Sequence, residues 1–140
     1  MKPDECIFFQ LSKASQGGIK YLTQKISSLG ITPVQAMVLV FLKEEDQIMA
    51  GELGKKVELD SATLTGILDR LETAKLIKRK GNPSDLRSIH IHLTEEGKGM
   101  AKKARLLLEE ANKEFLASLS QAEDENLRSL LATLREQSVR

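Results

Sequence analysis

Between Met49 and Ile77 the chain reads MAGELGKKVELDSATLTGILDRLETAKLI. Its apolar residues Leu53, Val57, Leu59, Leu64, Ile67, Leu68 and Leu71 recur at helical spacing but break phase across the short VELD link. Two helices joined by a tight turn account for that pattern. Asp60 or Ser61 caps the second helix, which is expected to run to about Lys75. A chain so organised must fold around a helix-turn-helix.

The segment after Lys75 supports a hairpin. Leu76 to Lys80 and Ser88 to Leu93 read as short strands, the second placing Ile89, Ile91 and Leu93 on one face and Ser88, His90 and His92 on the other. The intervening GNPSDL turns the chain. Upstream, apolar residues at three- and four-residue steps predict a long helix from Asp4 to Leu29, carrying Phe8, Leu11, Ile19, Leu22, Ile26 and Leu29. Gly17 and Gly18 inside it suggest close approach of another helix. Thr32, Pro33 and Gln35 form a capping-box start for a second helix whose run Ala36 to Leu42 is apolar nearly all round, predicting burial in the middle of the fold.

Downstream, Thr94 caps a long helix with Glu95 and Glu96 near its positive end, and Met100, Ala104, Leu107, Leu108, Ala111 and Phe115 face inward. Ser120 and Glu123 open a last helix striped by Leu127, Leu130, Leu131 and Leu134. The outer helices carry more apolar stripe than the middle can cover, and a homodimer is the simplest way to bury it. The expected fold is therefore mainly α with a small β-hairpin wing. It is a winged helix-turn-helix lobe at about 32–93, with dimerisation helices at about 4–29 and 95–137, in a single domain over 1–140.

Composition excludes several classes. Of 140 residues 41% are hydrophobic and only 4% aromatic, which leaves little surface for stacking on sugars or single-stranded bases. One cysteine, Cys6, permits no internal disulfide and no thiolate-rich zinc site. The stretch MKPDECIFFQ has no long apolar run after a basic one, so neither a secretory signal nor a membrane span is expected, and a cytoplasmic location is the reading that remains. His90 and His92 share a strand face, but no carboxylate or thiolate pattern completes a metal site. No nucleophile and base pair or phosphate-binding glycine loop appears, so neither an enzyme nor a cofactor is expected.

The net charge of +1 is uninformative, because the positive charge is local. Lys75, Lys78, Arg79, Lys80 and Arg87 crowd the hairpin, opposed there by Asp85. On the helix before it, a wheel centred on Leu64 turns Ala62, Thr65, Gly66, Asp69 and Thr73 away from the core, with Thr63 and Arg70 on one flank. Solvated helix faces are normally filled with Glu, Lys and Gln. A face of alanine, glycine and threonine lets backbone approach another surface, and threonine offers a hydroxyl and a methyl to phosphates and base edges. The alternative is that this face meets another helix or water. Beside such a helix, a hairpin can lower Arg87 into the adjacent minor groove with Asp85 holding its guanidinium in place; alone, the pair would be an ordinary surface ion pair.

The stretch LDSATLTGILDRLETAKLIKRKGNPSDLRSIHIHLTEEG resembles the signature of the multiple-antibiotic-resistance regulators, the MarR family. That resemblance implies a dimeric winged helix-turn-helix that binds double-stranded DNA at a pseudo-palindromic operator. It implies Ser61, Thr63, Thr65 and Arg70 as recognition-helix contacts, Arg79 and Lys80 near phosphate, and an arginine at the Arg87 position of the wing. Ala62 and Gly66 join them from the wheel as points of close approach. Family members are commonly released from DNA by phenolic or other small aromatic ligands. Phe8, Leu11, Tyr21, Met37 and Phe41 are the large groups on helices expected to border such a pocket, with core packing as the alternative role. LDSATLT is most similar to the organic-hydroperoxide sensors, whose reactive cysteine lies in the first helix. Cys6 occupies that region, with an inert thiol as the alternative. Outside the DNA-binding class, a winged-helix module that docks on another protein would share the same sequence features.

Overall fold

The computed structural model describes residues 1–82 and 84–138. Pro83, inside the expected 81–86 turn, lies outside the described residues. The described residues form six α-helices and one antiparallel hairpin, which is the winged helix-turn-helix architecture.

Helix α1 spans Ile7–Lys25, between a 3-10 turn at Pro3–Glu5 and another at Ser27–Leu29. The continuous helix expected over 4–29 is thus divided. Cys6 adopts extended angles (φ −60°, ψ 124°), and Ile26 leaves helical geometry (φ −98°, ψ 4°). Ile26 is fully buried against Ala36 and Ala104, so the break coincides with the point where the chain dives into the core.

Helix α2 (Pro33–Glu44) starts at the expected capping box: Gln35 N–H donates to Thr32 Oγ1 at 3.2 Å, and Thr32 N–H to Gln35 Oε1 at 3.0 Å. Ala36, Val38, Leu39 and Leu42 are buried. Met37 remains 39% exposed and Val34 40%, so burial is not all round. One side of α2 instead opens into a cleft.

Helices α3 (Ala50–Val57) and α4 (Ser61–Thr73) meet through a turn in which Glu58 takes a left-handed conformation (φ 56°) and Leu59 N–H bonds to Gly54 O at 3.1 Å. Asp60 then caps α4, its Oδ1 accepting from Thr63 N–H at 2.8 Å. That amide, followed by the Thr63 hydroxyl, holds the Asp60 carboxyl below the ordinary aspartate range.

Strands β1 (Ile77–Lys80) and β2 (His90–Leu93) pair from Ile77 with Leu93 to Lys80 with His90. Both are shorter than the sequence suggested. Leu76 N–H is taken by Leu71 O at 3.0 Å in the turn that ends α4, and Ser88 belongs to a 3-10 turn at Leu86–Ser88. The other edge of β2 is covered by the chain leading into α3: Ala50 N–H donates to Ile89 O and Ile91 N–H to Ile48 O, both at 2.9 Å. The inward face, Ile77, Ile89, Ile91 and Leu93, is buried with Leu53, Leu64, Leu68 and Leu71 in the main core.

Helix α5 (Glu95–Phe115) begins at Thr94, whose Oγ1 accepts from Gly97 N–H at 3.0 Å and donates to Lys75 O at 2.7 Å. A Cβ on Gly97 would lie 1.9 Å from Leu76 O, so glycine is what allows α5 to start against the end of the α4 turn. Helix α6 (Gln121–Ser138) opens on the reciprocal Ser120 and Glu123 pair at 2.9 and 3.1 Å. Phe8, Ile19, Leu130 and Leu134 on the outer helices stay exposed.

Candidate nucleic-acid interface

One face of α4 is turned away from the core because its buried residues, Leu64, Ile67, Leu68 and Leu71, all lie on the other. Ser61, Ala62, Thr63, Thr65, Asp69, Arg70 and Thr73 are exposed or partly so. A Cβ on Gly66 would meet nothing within 4 Å, so no intramolecular contact demands glycine there. The two threonine hydroxyls have local partners: Thr65 donates to Ser61 O at 2.7 Å, and Thr63 to Asp60 Oδ2 at 3.0 Å. Their methyls and remaining oxygen lone pairs are left for an incoming surface.

Arg87 extends from the hairpin tip with its side chain 93% exposed. Asp85 Oδ1 accepts from its backbone N–H at 3.1 Å and from its Nε at 3.3 Å. Asn82 organises the same tip, its Oδ1 accepting from Ser84 N–H at 3.0 Å and Ser84 Oγ at 2.7 Å. Lys78 and Lys80 are exposed on β1.

Arg79 behaves differently from Arg87. Its side chain is only 26% exposed, with Nη2 at 2.9 Å from Glu72 Oε1 and 2.7 Å from Asp69 Oδ1. The side-chain hydrogen bond from Arg79 holds the Glu72 carboxyl below its ordinary range, and the reverse interaction raises Arg79. Asp69, whose place beside Arg70 on α4 suggested that it steers that arginine or accepts from cytosine, is paired with Arg79. The partners are seven and ten residues apart across a turn, so no periodic pattern announces them.

Within one chain, and among the described residues, the five residues expected around a pocket fall in different places. Phe8 (78% exposed) and Leu11 lie on the open face of α1. Tyr21 lines a cleft of about 160 Å³ with Gly18 and Phe115; its hydroxyl donates to Glu114, which raises its pKa. Glu114 is held below the ordinary range by that bond and by Lys25. Met37 and Phe41 line a cleft of about 330 Å³ with Val57, Leu59, Lys56 and Arg135. A third cleft, about 240 Å³ and not anticipated, lies between α3, α4 and the hairpin, bordered by Gly51, Gly54, Ser61, Thr65, Leu68 and Arg79. Its signal in the sequence was the glycine pair of GELG, which strips one side of α3.

Cys6 is half-buried and forms no disulfide. Tyr21 is about 22 Å farther along α1 at about 1.5 Å per residue, so within one chain it stands away from the thiol. His90 Nδ1 lies 3.2 Å from Ser88 O, and among the described residues no three His, Cys, Asp or Glu side chains gather as a metal site. Among the described residues no helix is long and apolar enough to cross a membrane.

The MarR family model matches residues 31–89, the segment that holds α2, α3, α4, the first strand of the hairpin and its turn. The organic hydroperoxide resistance transcriptional regulator of Bacillus subtilis (strain 168) is 36% identical over 104 residues, covering 74% of this chain and 71% of that protein. The chain belongs to the MarR family. Among solved structures, a probable transcriptional regulator from Pseudomonas aeruginosa superposes with a TM-score of 0.87 at 34% identity, over 95% of this chain and 99% of that one. A mutant MarR from E. coli complexed with operator DNA gives 0.80 at 28%, over 89% and 90%. This MarR-family chain is accordingly a DNA-binding transcriptional regulator, in a family of regulators rather than enzymes.

Proposed function

We propose that the chain is a cytoplasmic, homodimeric repressor. It inserts α4 of each subunit into successive major grooves of a pseudo-palindromic operator, with half-sites about 10 bp apart, and is released by a small aromatic or phenolic ligand. The observation that carries this reading is the exposed small-residue face of α4 beside Arg87, whose side chain is 93% exposed. Ser61, Ala62, Thr63, Thr65, Gly66 and Arg70 approach bases and phosphates, Lys80 reaches the flanking backbone, and Arg87, steadied by Asp85, enters the minor groove. The operator complex of the E. coli relative supports this.

Dimerisation is supported by the exposed apolar residues of α1 and α6. A second copy packed on that stripe would take Leu130 and Leu134, 56% and 44% exposed in the single chain, out of water. The effector reading is supported by the α2 cleft holding Met37 and Phe41, an apolar floor at whose rim Lys56 is paired with Glu45 and Arg135 with Glu58. Titration of labelled genomic duplexes tests the main reading: selective binding that falls by orders of magnitude from low to moderate salt is expected, and uniform binding to all sequences refutes it. Release of the selected duplex by aromatic acids or phenols tests the effector.

Peroxide sensing at Cys6 is the second reading, favoured by the name of the B. subtilis relative and by the half-exposed, unbridged thiol. It requires hydroperoxide to release DNA from the wild type but not from Cys6→Ser; equal release from both rules it out.

A further inference from the structure

Asp69 is out of place on a helix face that meets DNA. A carboxylate beside phosphates repels them, and this one is 57% exposed on the same face as Ala62 and Thr65. Its counter-charge lies on β1. Arg79 Nη2 sits 2.7 Å from Asp69 Oδ1, and the guanidinium is fixed from behind by Glu72, which accepts from Nη2 at 2.9 Å and from Nε at 3.4 Å. Glu72 Oε2 also accepts the Arg79 backbone N–H at 3.2 Å, so the strand itself is fastened to α4. With three contacts to one carboxylate and one to the other, Arg79 is oriented by the fold before any duplex arrives.

Resting on the DNA-binding reading above, we propose that Arg79 is a positioning residue: it screens Asp69 on the DNA-facing surface and locks the wing to α4. It is not a phosphate ligand in its own right. The contrast with Arg87 decides between those roles. Arg87 is 93% exposed and reaches outward, whereas Arg79 is 26% exposed and turned toward α4. The cluster holds one cation and two carboxylates. Removing Arg79 leaves two like charges, at positions 69 and 72 on adjacent turns, facing a polyanion, and lets β1 part from the helix. The planar fork engages both oxygens of Glu72 and reaches Asp69 from one preorganised group, so Arg79→Lys is expected to replace it only in part.

A double-mutant cycle tests this, using the full chain and a fluorescent duplex selected by the wild type from genomic fragments. Arg79→Met is expected to weaken binding by roughly tenfold or more, and adding Asp69→Asn to it to recover most of the loss. The slope of log affinity against log salt should not drop by the step of about one that loss of a phosphate contact gives. Equal losses from Arg79→Met with and without Asp69→Asn, or that drop in slope, would overturn the screening role and leave Arg79 a direct contact. Should Arg79→Met unfold, Asp69→Asn alone decides: a gain under about fivefold supports a carboxylate already screened, and a larger gain refutes it. If the wild type selects no duplex at all, the DNA-binding reading itself fails, an outcome distinct from any within the cycle.

Discussion

Asp85 and Arg87 are joined twice, with one carboxylate oxygen accepting both the backbone N–H and the Nε of the arginine, at 3.1 and 3.3 Å. An exposed ion pair contributes little to stability, so the pair matters for where it holds the guanidinium. Arg87→Ala is expected to weaken duplex binding on the order of tenfold or more with no change in thermal stability. Asp85→Ala, which frees the arginine without removing it, should cost less than Arg87→Ala. Anisotropy titrations and melting curves on the same samples check both, and an Asp85→Ala loss equal to that of Arg87→Ala would show that orientation is the whole effect.

Substitution at Gly66 should separate folding from recognition. With nothing within 4 Å of its missing Cβ, Gly66→Ala should stabilise the fold by about 0.5–1 kcal/mol through helix propensity. The same methyl stands in the way of close approach to DNA, so affinity should fall while the melting temperature rises. A rise in both would remove Gly66 from the interface.

Thr94 ties three segments together, capping α5 while donating to the carbonyl of Lys75. Thr94→Ala leaves two partners unsatisfied and is expected to cost about 1–2 kcal/mol in chemical denaturation. Gly97→Ala, with its methyl 1.9 Å from Leu76 O, should be far worse and yield little folded protein.

Acid should loosen the wing. The Glu72 carboxyl lies below its ordinary value of 4.5, chiefly because of the Arg79 hydrogen bond. A depressed folded-state pKa stabilises the protein fully above the unfolded value, and that stability is lost as pH falls through the folded one. Wild type should therefore exceed Glu72→Gln in melting temperature at neutral pH, with the difference shrinking once pH falls below 4.5. A constant difference across that window would mean that Glu72 acts by packing alone.

The features legible in the sequence were local. The caps at Thr32, Asp60, Thr94 and Ser120 depend on residues three positions away, so short-range spacing revealed them. The face of α4 came from helix geometry alone. The break in α1 at Ile26 was hidden, because it depends on Ala36 and Ala104 meeting that side chain from other helices. Hidden for the same reason were the Arg79 clamp, which crosses a turn, and the dispersal of Phe8, Leu11, Tyr21, Met37 and Phe41, whose shared large size says nothing about which helices face one another.

The strand pairing at Ile48 and Ala50 carries one last implication. These two backbone groups hold the wing by its root at the very segment that launches the first helix of the helix-turn-helix. Groove reader and strand gripper are thereby hinged on a common pivot. On the proposed reading, a displacement of a fraction of a turn at the end of α2 is expected to carry both away from a duplex together, so the proposed inducer need disturb only one place to disengage the whole reading head.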